Sequence, residues 1–259
     1  MIDIAYVTAG ALTGFVVGLT GVGGGSLMTP ILLLFFGVSP LTAIGTNLWF
    51  AVFTKLVGVH LHYRSGNVDW QVAKRLWLGS LPMALLIVVL ISLGAQVAKL
   101  DWLTQAIGAL ILITAVGLLM APKIMAFARA RRINQPKLFV GLQPFLTVVS
   151  GGVLGLCVAL TSVGAGTLGS LMLLYLYPLR MTPHRLVATD IVHAIPLAVV
   201  AGIGYLFAGL VDWVMLASLL TGSIPAVILG GLLANKIAGR WVQIALASVL
   251  FLAGVKVLF

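Results

Sequence analysis

Apolar residues fall in long runs separated by short polar gaps, and runs of this length suit membrane-spanning α-helices rather than barrel strands. In chain order they predict segment A at Ile4–Leu19, a short segment B at Ser26–Gly37, C at Pro40–His62, D at Val72–Leu93 and E at Trp102–Met120. A basic stretch from Lys123 to Lys137, with Arg129, Arg131 and Arg132, reads as a linker. Five more segments follow: A′ at 139–160, B′ at 167–179, C′ at 184–207, D′ at 213–234 and E′ at 240–258. The expected organisation is a first transmembrane repeat over 1–121, a basic cytoplasmic linker over 122–138 and a second repeat over 139–259.

The second set of segments copies the first. "LTGVGGGSL" at 19–27 and "LTSVGAGTL" at 160–168 share six of nine residues. At an offset of 143, Pro40, Thr46, Gly66, Val68, Asp69, Trp70, Gly79, Ser80 and Pro82 meet Pro183, Thr189, Gly209, Val211, Asp212, Trp213, Gly222, Ser223 and Pro225. Chance is a poor explanation for so ordered a set.

Charge then separates the copies. The C–D gap carries Arg64, Lys74 and Arg75, whereas its counterpart "LFAGLVDW" carries no basic residue. The B–C gap "GVSP" is neutral, whereas "PLRMTPHR" holds Arg180 and Arg185. Lys99 is offset by Asp101 between D and E, against Lys236 and Arg240 in the second copy. Cytoplasmic loops hold the excess of Lys and Arg, so the two halves are expected to face opposite ways. That requires five crossings per half, or three plus a re-entrant A–B hairpin. Four crossings per half with parallel copies is the alternative, and it leaves Arg180, Arg185, Lys236 and Arg240 outside.

Composition fits a bilayer. Of 259 residues, 61% are hydrophobic and 8% charged, against about 25% charged in a soluble domain. The net charge of +10 lies mostly in the short gaps, and no cluster of aromatic and basic residues makes a nucleic-acid surface. Cys157 is the only cysteine, so no intrachain disulfide is possible. The first apolar run has neither a basic n-region nor an A-x-A-type site, so no cleaved signal peptide is expected.

The glycines pose the main question. Four of the five residues from Gly21 to Gly25 are glycine, each costing a helix about 1 kcal/mol relative to alanine. Unwound backbone at membrane depth is tolerated where it lines a cavity or is buried in protein. Inverted repeats with interrupted helices are a recurring plan of secondary transporters. Segment B, about 18 Å long at 1.5 Å per residue, then starts near the midplane and offers free N–H groups as an anion site. Ser26 and Thr167 stand at the starts of B and B′, placed to cap or to bind. The alternative use of these glycines is close helix packing. A dinucleotide fingerprint is not supported, since no strand precedes them and the spacing is wrong.

Two Gly-rich segments, the P-x-x-A-x-G-T-N run at Pro40–Asn47, "GNVDW" at 66–70 and "GSLP" at 79–82 together resemble the sulfite exporter TauE/SafE family of membrane proteins. The resemblance covers essentially the whole chain. It implies a transporter of the bacterial inner membrane, often linked to export of sulfite, sulfoacetate or related small sulfur-containing anions. Lys55 and "TDIVHAIP" at 189–196 resemble one subgroup of that family.

Several polar residues lie inside the spans. Lys55 in segment C carries a charge that costs about 2.5–3.5 kcal/mol at a helix centre, so it should face a cavity or a partner. It is expected either to neutralise an anion or to pair with Asp190. Asp190 is the counterpart of Asn47, and His193 follows it by three residues on one helical face. Together they can relay protons or glue helices. Thr20, Thr161 and Ser162 flank the glycine loops, and Thr46 and Thr189 recur near the starts of C and C′. Such hydroxyls either coordinate an oxyanion or satisfy loosened backbone. The candidate substrate site is Thr20, Gly23, Gly24, Gly25, Ser26, Thr46, Asn47, Lys55, Thr161, Ser162, Gly164, Gly166, Thr167 and Thr189, with Asp190 and His193 as proton carriers. His60 and His62 read as interfacial residues. Asp69 and Asp212, each before a Trp, read as helix N-caps beside interfacial anchors.

No ATP site, nucleophile elbow or metal-ligand cluster stands out. The expected protein is a multi-pass secondary transporter of a small anion, with no cofactor or metal and no nucleic-acid partner. Its partners are the lipid bilayer, the anion and, as an open option, a second copy of the chain. A passive anion channel and an intramembrane enzyme are the competing readings.

Overall fold

The computed structural model describes residues 3–20, 25–62, 68–92, 101–134, 136–164, 166–234 and 239–258. Among them are ten α-helices and no strand: α1 Ile4–Thr20, α2 Gly25–Phe36, α3 Pro40–His62, α4 Trp70–Ser92, α5 Asp101–Asn134, α6 Pro136–Thr161, α7 Thr167–Leu176, α8 Pro183–Phe207, α9 Trp213–Leu233 and α10 Gly239–Leu258. Six of these are long and apolar enough to cross a membrane: α3, α4, α5, α6, α8 and α9.

Most apolar runs coincide with helices to within a few residues, and α5 is the exception. Hydropathy ends its segment at Met120, yet the helix continues through Pro122 and the basic stretch to Asn134. Ala, Lys and Arg are strong helix formers, so a helix can outrun the apolar segment that crosses lipid. The expected linker is therefore largely helical where it is described.

Glycine sets the closest helix contacts. Gly10, Gly14 and Gly18 present one face of α1 to α9, where a Cβ would collide with the backbone around Leu219, Ser223 and Val227. Gly79 on α4 and Gly151 and Gly155 on α6 do the same, meeting the Val148, Leu76 and Ser80 backbones respectively. These small-residue stripes let backbones touch, which is how helices associate without a hydrophobic driving force in lipid. The close-packing use of glycine thus operates in these helices.

Contacts between the halves come in matched pairs. α1 packs on α9, and their counterparts α6 and α4 pack on each other; α2 meets α10 as α7 meets α5. The N-terminal ends of α4 and α9 repeat the pattern. Asp212 N–H donates to Thr46 Oγ1 at 3.1 Å, and Asp69 N–H donates to Thr189 Oγ1 at 3.0 Å. Both aspartates cap their helices: Asp212 Oδ1 accepts from Val214 and Met215 N–H, and Asp69 Oδ1 accepts from Val72 N–H. Trp70 and Trp213, just inside, are half exposed.

At the centre α3 crosses α8 in reverse direction. Gly45 lies against Tyr205, Trp49 Nε1 donates to the Gly202 carbonyl at 3.2 Å, and Lys55 meets Asp190. α5 and α10 also run in opposite senses, with Gly108 against Leu258 and Gly254 against Leu112. Tyr205, fully buried, donates to the Ala159 carbonyl at 2.8 Å and joins α8 to the end of α6.

Candidate functional site

The second Gly-rich segment interrupts a helix. α6 stops at Thr161 and α7 starts at Thr167. Between them Ser162 has φ +57° and Gly164 φ +112°, left-handed values that suit glycine and are uncommon for a residue with a Cβ. Thr161 repairs the break: its hydroxyl donates to the Cys157 carbonyl at 2.6 Å and accepts from Val163 N–H at 3.1 Å. α7 is only 10 residues long, about 15 Å at the usual rise. Its N-cap, Gly166, supplies no side-chain bond. Among the described residues, the buried Thr167 Oγ1 and Ser162 Oγ reach no hydrogen-bond partner. The first helix start is less fully described: Gly25 opens α2, Gly23 and Gly24 lie outside the described residues, as do the side chains of Thr20, Ser26, His60 and His62.

Facing the α7 start is the one buried ion pair among the described residues. Lys55 Nζ lies 3.1 Å from Asp190 Oδ2, and both side chains are almost fully enclosed, at 3% and 2% exposure. The other carboxylate oxygen, Asp190 Oδ1, reaches no partner among the described residues. It points at Gly169 in the first turn of α7, where a Cβ would lie 2.8 Å away. Asp190 is seven residues into α8 and Lys55 seven from the end of α3, so the pair sits about 10 Å from the end of the bundle. It is displaced from the middle of α3 toward the end where α4 and α8 begin.

His193 turns to a different helix. Its ring Nε2 and Ser80 Oγ are 3.0 Å apart, and Trp77 Nε1 donates to the His193 carbonyl at 3.2 Å. His193 Nδ1 is buried with no partner among the described residues. Asp190 thus meets α3 and α7 while His193 meets α4. Only one of the two arrangements related by the duplication carries these charges. At offset 143, Asp190, His193 and Ala198 correspond to Asn47, Phe50 and Lys55, and Ser80 to Ser223. Where His193 meets Ser80, Phe50 has no ring nitrogen to offer, and Ser223 Oγ is buried without a partner among the described residues. Asn47 Nδ2 donates to Thr29 Oγ1 at 2.6 Å.

The sequence candidates therefore separate. Lys55, Asp190, Ser162, Gly164, Gly166 and Thr167 belong to one region around the α7 start. Thr46 and Thr189 hold the cap aspartates of the opposite half, and Thr161 holds loosened backbone. Ser80, Trp77 and Thr29 were not singled out by sequence. The recurrence of Ser80 at Ser223 was the available signal for the first; Trp77 and Thr29 carry no comparable one.

The family model described as "Sulfite exporter TauE/SafE" matches residues 6–257. The probable membrane transporter protein YjnA of Bacillus subtilis (strain 168) is 33% identical over 259 residues, covering 99% of this chain and 100% of the relative. The probable membrane transporter protein YdhB of the same organism is 27% identical over 255 residues, covering 96% and 97%. No solved structure matches the chain.

Proposed function

Since the chain belongs to the sulfite exporter TauE/SafE family and is a multi-pass membrane transporter rather than an enzyme, we propose that it exports a small anion across the cell inner membrane by alternating access. Its two halves are read as inverted repeats of five helical segments, with the Gly-rich breaks before α2 and α7 near the midplane. The opposed directions of α3 and α8 and of α5 and α10, together with the swapped loop charges, support that reading. The shortness of α2 and α7 supports helices that start within the membrane.

One observation carries the anion assignment: a buried lysine–aspartate pair set against the start of a broken helix. Lys55 supplies a positive charge, and the α7 N-terminus adds backbone N–H groups and the positive end of its dipole. Ser162 and Thr167 bring hydroxyls that remain to be used. In the absence of substrate, the Asp190 carboxylate takes the role of the anion. A substrate anion competes with it for Lys55, and protonation of Asp190 removes that competition. Anion binding is then strengthened as pH falls, and a proton travels with the anion. Lys55 from α3 and His193 from α8 are the ionisable groups beside Asp190, and α7 contributes no charged residue. The second half-site, built on Asn47 and Phe50, carries no charge, so one anion per chain is expected.

Sulfite, sulfate, thiosulfate and a short alkyl sulfonate form the test panel. Purified protein in liposomes is expected to accumulate at least one of them against its gradient when a proton gradient is imposed, and Lys55→Ala is expected to abolish binding while the protein still inserts. Downhill movement alone identifies a channel. Unchanged anion binding by Lys55→Ala removes that lysine from the site.

A further inference from the structure

The two cap aspartates share a sequence motif, GxVDW, and the same cross-half bond to a threonine, yet their surroundings differ. Asp212 is exposed, and among the described residues no Lys or Arg pairs with it. Asp69 is 2% exposed and lies under two arginines from the other half. Arg180 engages it twice, Nε with Oδ2 and Nη2 with Oδ1, and Arg185 Nε stands 3.8 Å from Oδ2.

The α7–α8 connection is fastened at further points. Arg180 donates to Gln71 Oε1 at 3.2 and 3.1 Å and stacks near the Tyr177 ring. Arg75 reaches Tyr177 OH at 3.4 Å, and that hydroxyl is 2.8 Å from Thr147 Oγ1 on α6. Gln143 Nε2 donates to the Leu176 carbonyl at 2.7 Å. The counterpart connection between α2 and α3, residues 37–39, makes local bonds: Val38 N–H to Leu32 O and Ser39 Oγ to Thr42 Oγ1. Among the described residues, the α7–α8 connection is therefore pinned by charge and the α2–α3 connection is not.

The pin stands directly over the ion pair. Arg185, Thr189 and Asp190 occupy the first two turns of α8; the first two reach Asp69 on α4, and the third reaches Lys55 on α3. A tilt of this stretch away from α4 and α3 must part both sets of contacts. We infer that Asp69, Arg180 and Arg185 form a latch that closes the site at the end where α4 and α8 begin, and that releasing it opens the site to that side. The latch concerns access to the site proposed above, but reading it requires no substrate, so its failure leaves the transport reading standing, and the reverse.

Thr167→Cys in a Cys157→Ala background reports access, because Thr167 opens α7 and its buried hydroxyl has no partner among the described residues. A membrane-impermeant methanethiosulfonate is applied to the full-length protein in membrane vesicles from the side of the α7–α8 connection. Asp69→Asn keeps a carbonyl oxygen for the Val72 N–H and leaves the backbone N–H that Thr189 holds, so it removes the charge while preserving the cap. Both Asp69→Asn and Arg180→Gln are expected to label at least tenfold faster than the parent, and the double variant no faster than the quicker single one. Arg185→Gln, which removes the second arginine over Asp69, is expected to label faster than the parent and slower than Arg180→Gln, and it reads the latch even if Arg180→Gln misfolds. Single variants that fold and label at the parental rate overturn the latch.

Discussion

Thr189 takes the backbone N–H of Asp69 on its hydroxyl, and 143 residues away in both partners Thr46 takes that of Asp212. The exchange ties each half to the other at the start of a helix. It gives these threonines a structural use that any binding role must share. Replacing Thr189 by Val leaves a buried N–H unsatisfied, at a cost of about 1–3 kcal/mol, and the same change at Thr46 frees the part-buried N–H of Asp212. Thermal unfolding in detergent is expected to show a loss for both variants, larger for Thr189→Val because Asp69 is buried and Asp212 exposed.

Lys55 and Asp190 should behave as one unit. Removing one partner of a buried pair costs about 3–5 kcal/mol, whereas replacing both by apolar side chains of similar volume is often close to neutral. Lys55→Met and Asp190→Leu are each expected to destabilise strongly and the double variant far less. Equal and additive losses in a double-mutant cycle contradict a direct pair.

Asp190→Asn tests the proton. The neutral amide cannot compete electrostatically for Lys55 and cannot titrate. Anion binding by the variant is expected to be tighter than the parent's at high pH and nearly flat with pH, while the parent's weakens as Asp190 ionises. A parental pH profile in Asp190→Asn places the coupling elsewhere.

Glycine substitutions separate packing from flexibility. A methyl at Gly79 collides with the Val148 carbonyl, and overpacking of this kind costs about 1–3 kcal/mol. Gly141, within α6, has nothing within 4 Å of an added Cβ, so alanine there is expected to be neutral or stabilising by up to about 1 kcal/mol. Similar melting temperatures for Gly79→Ala and Gly141→Ala contradict the glycine contact between α4 and α6.

The sequence carried the helices well because lipid demands long apolar runs, and hydropathy reads that demand directly. It misplaced the end of α5 because the same signal is blind to a helix that continues in water. Lys55 and Asp190 stood out as charges in apolar segments, and their pairing was one of two readings because the crossing of α3 and α8 brings together residues 135 apart. Arg180 and Arg185 were legible as loop charge but not as partners of Asp69. Nothing in the local pattern distinguishes a cap aspartate that is exposed from one covered by the other half. Ser80 was visible as a repeated residue, yet its bond to His193 depends on a substitution, Phe50 for His193, that gains meaning only when α4 and α8 are seen side by side.

Opposite insertion of the two halves underlies the whole proposal, because only then do the starts of α2 and α7 approach from opposite leaflets. Single cysteines at Ser65 and at its counterpart Ala208, introduced separately into a Cys157→Ala background, read it directly with a membrane-impermeant thiol reagent on intact cells and on inverted vesicles. The account predicts that residue 65 labels from the cytoplasmic side and residue 208 from the opposite side; labelling of both from one side contradicts it.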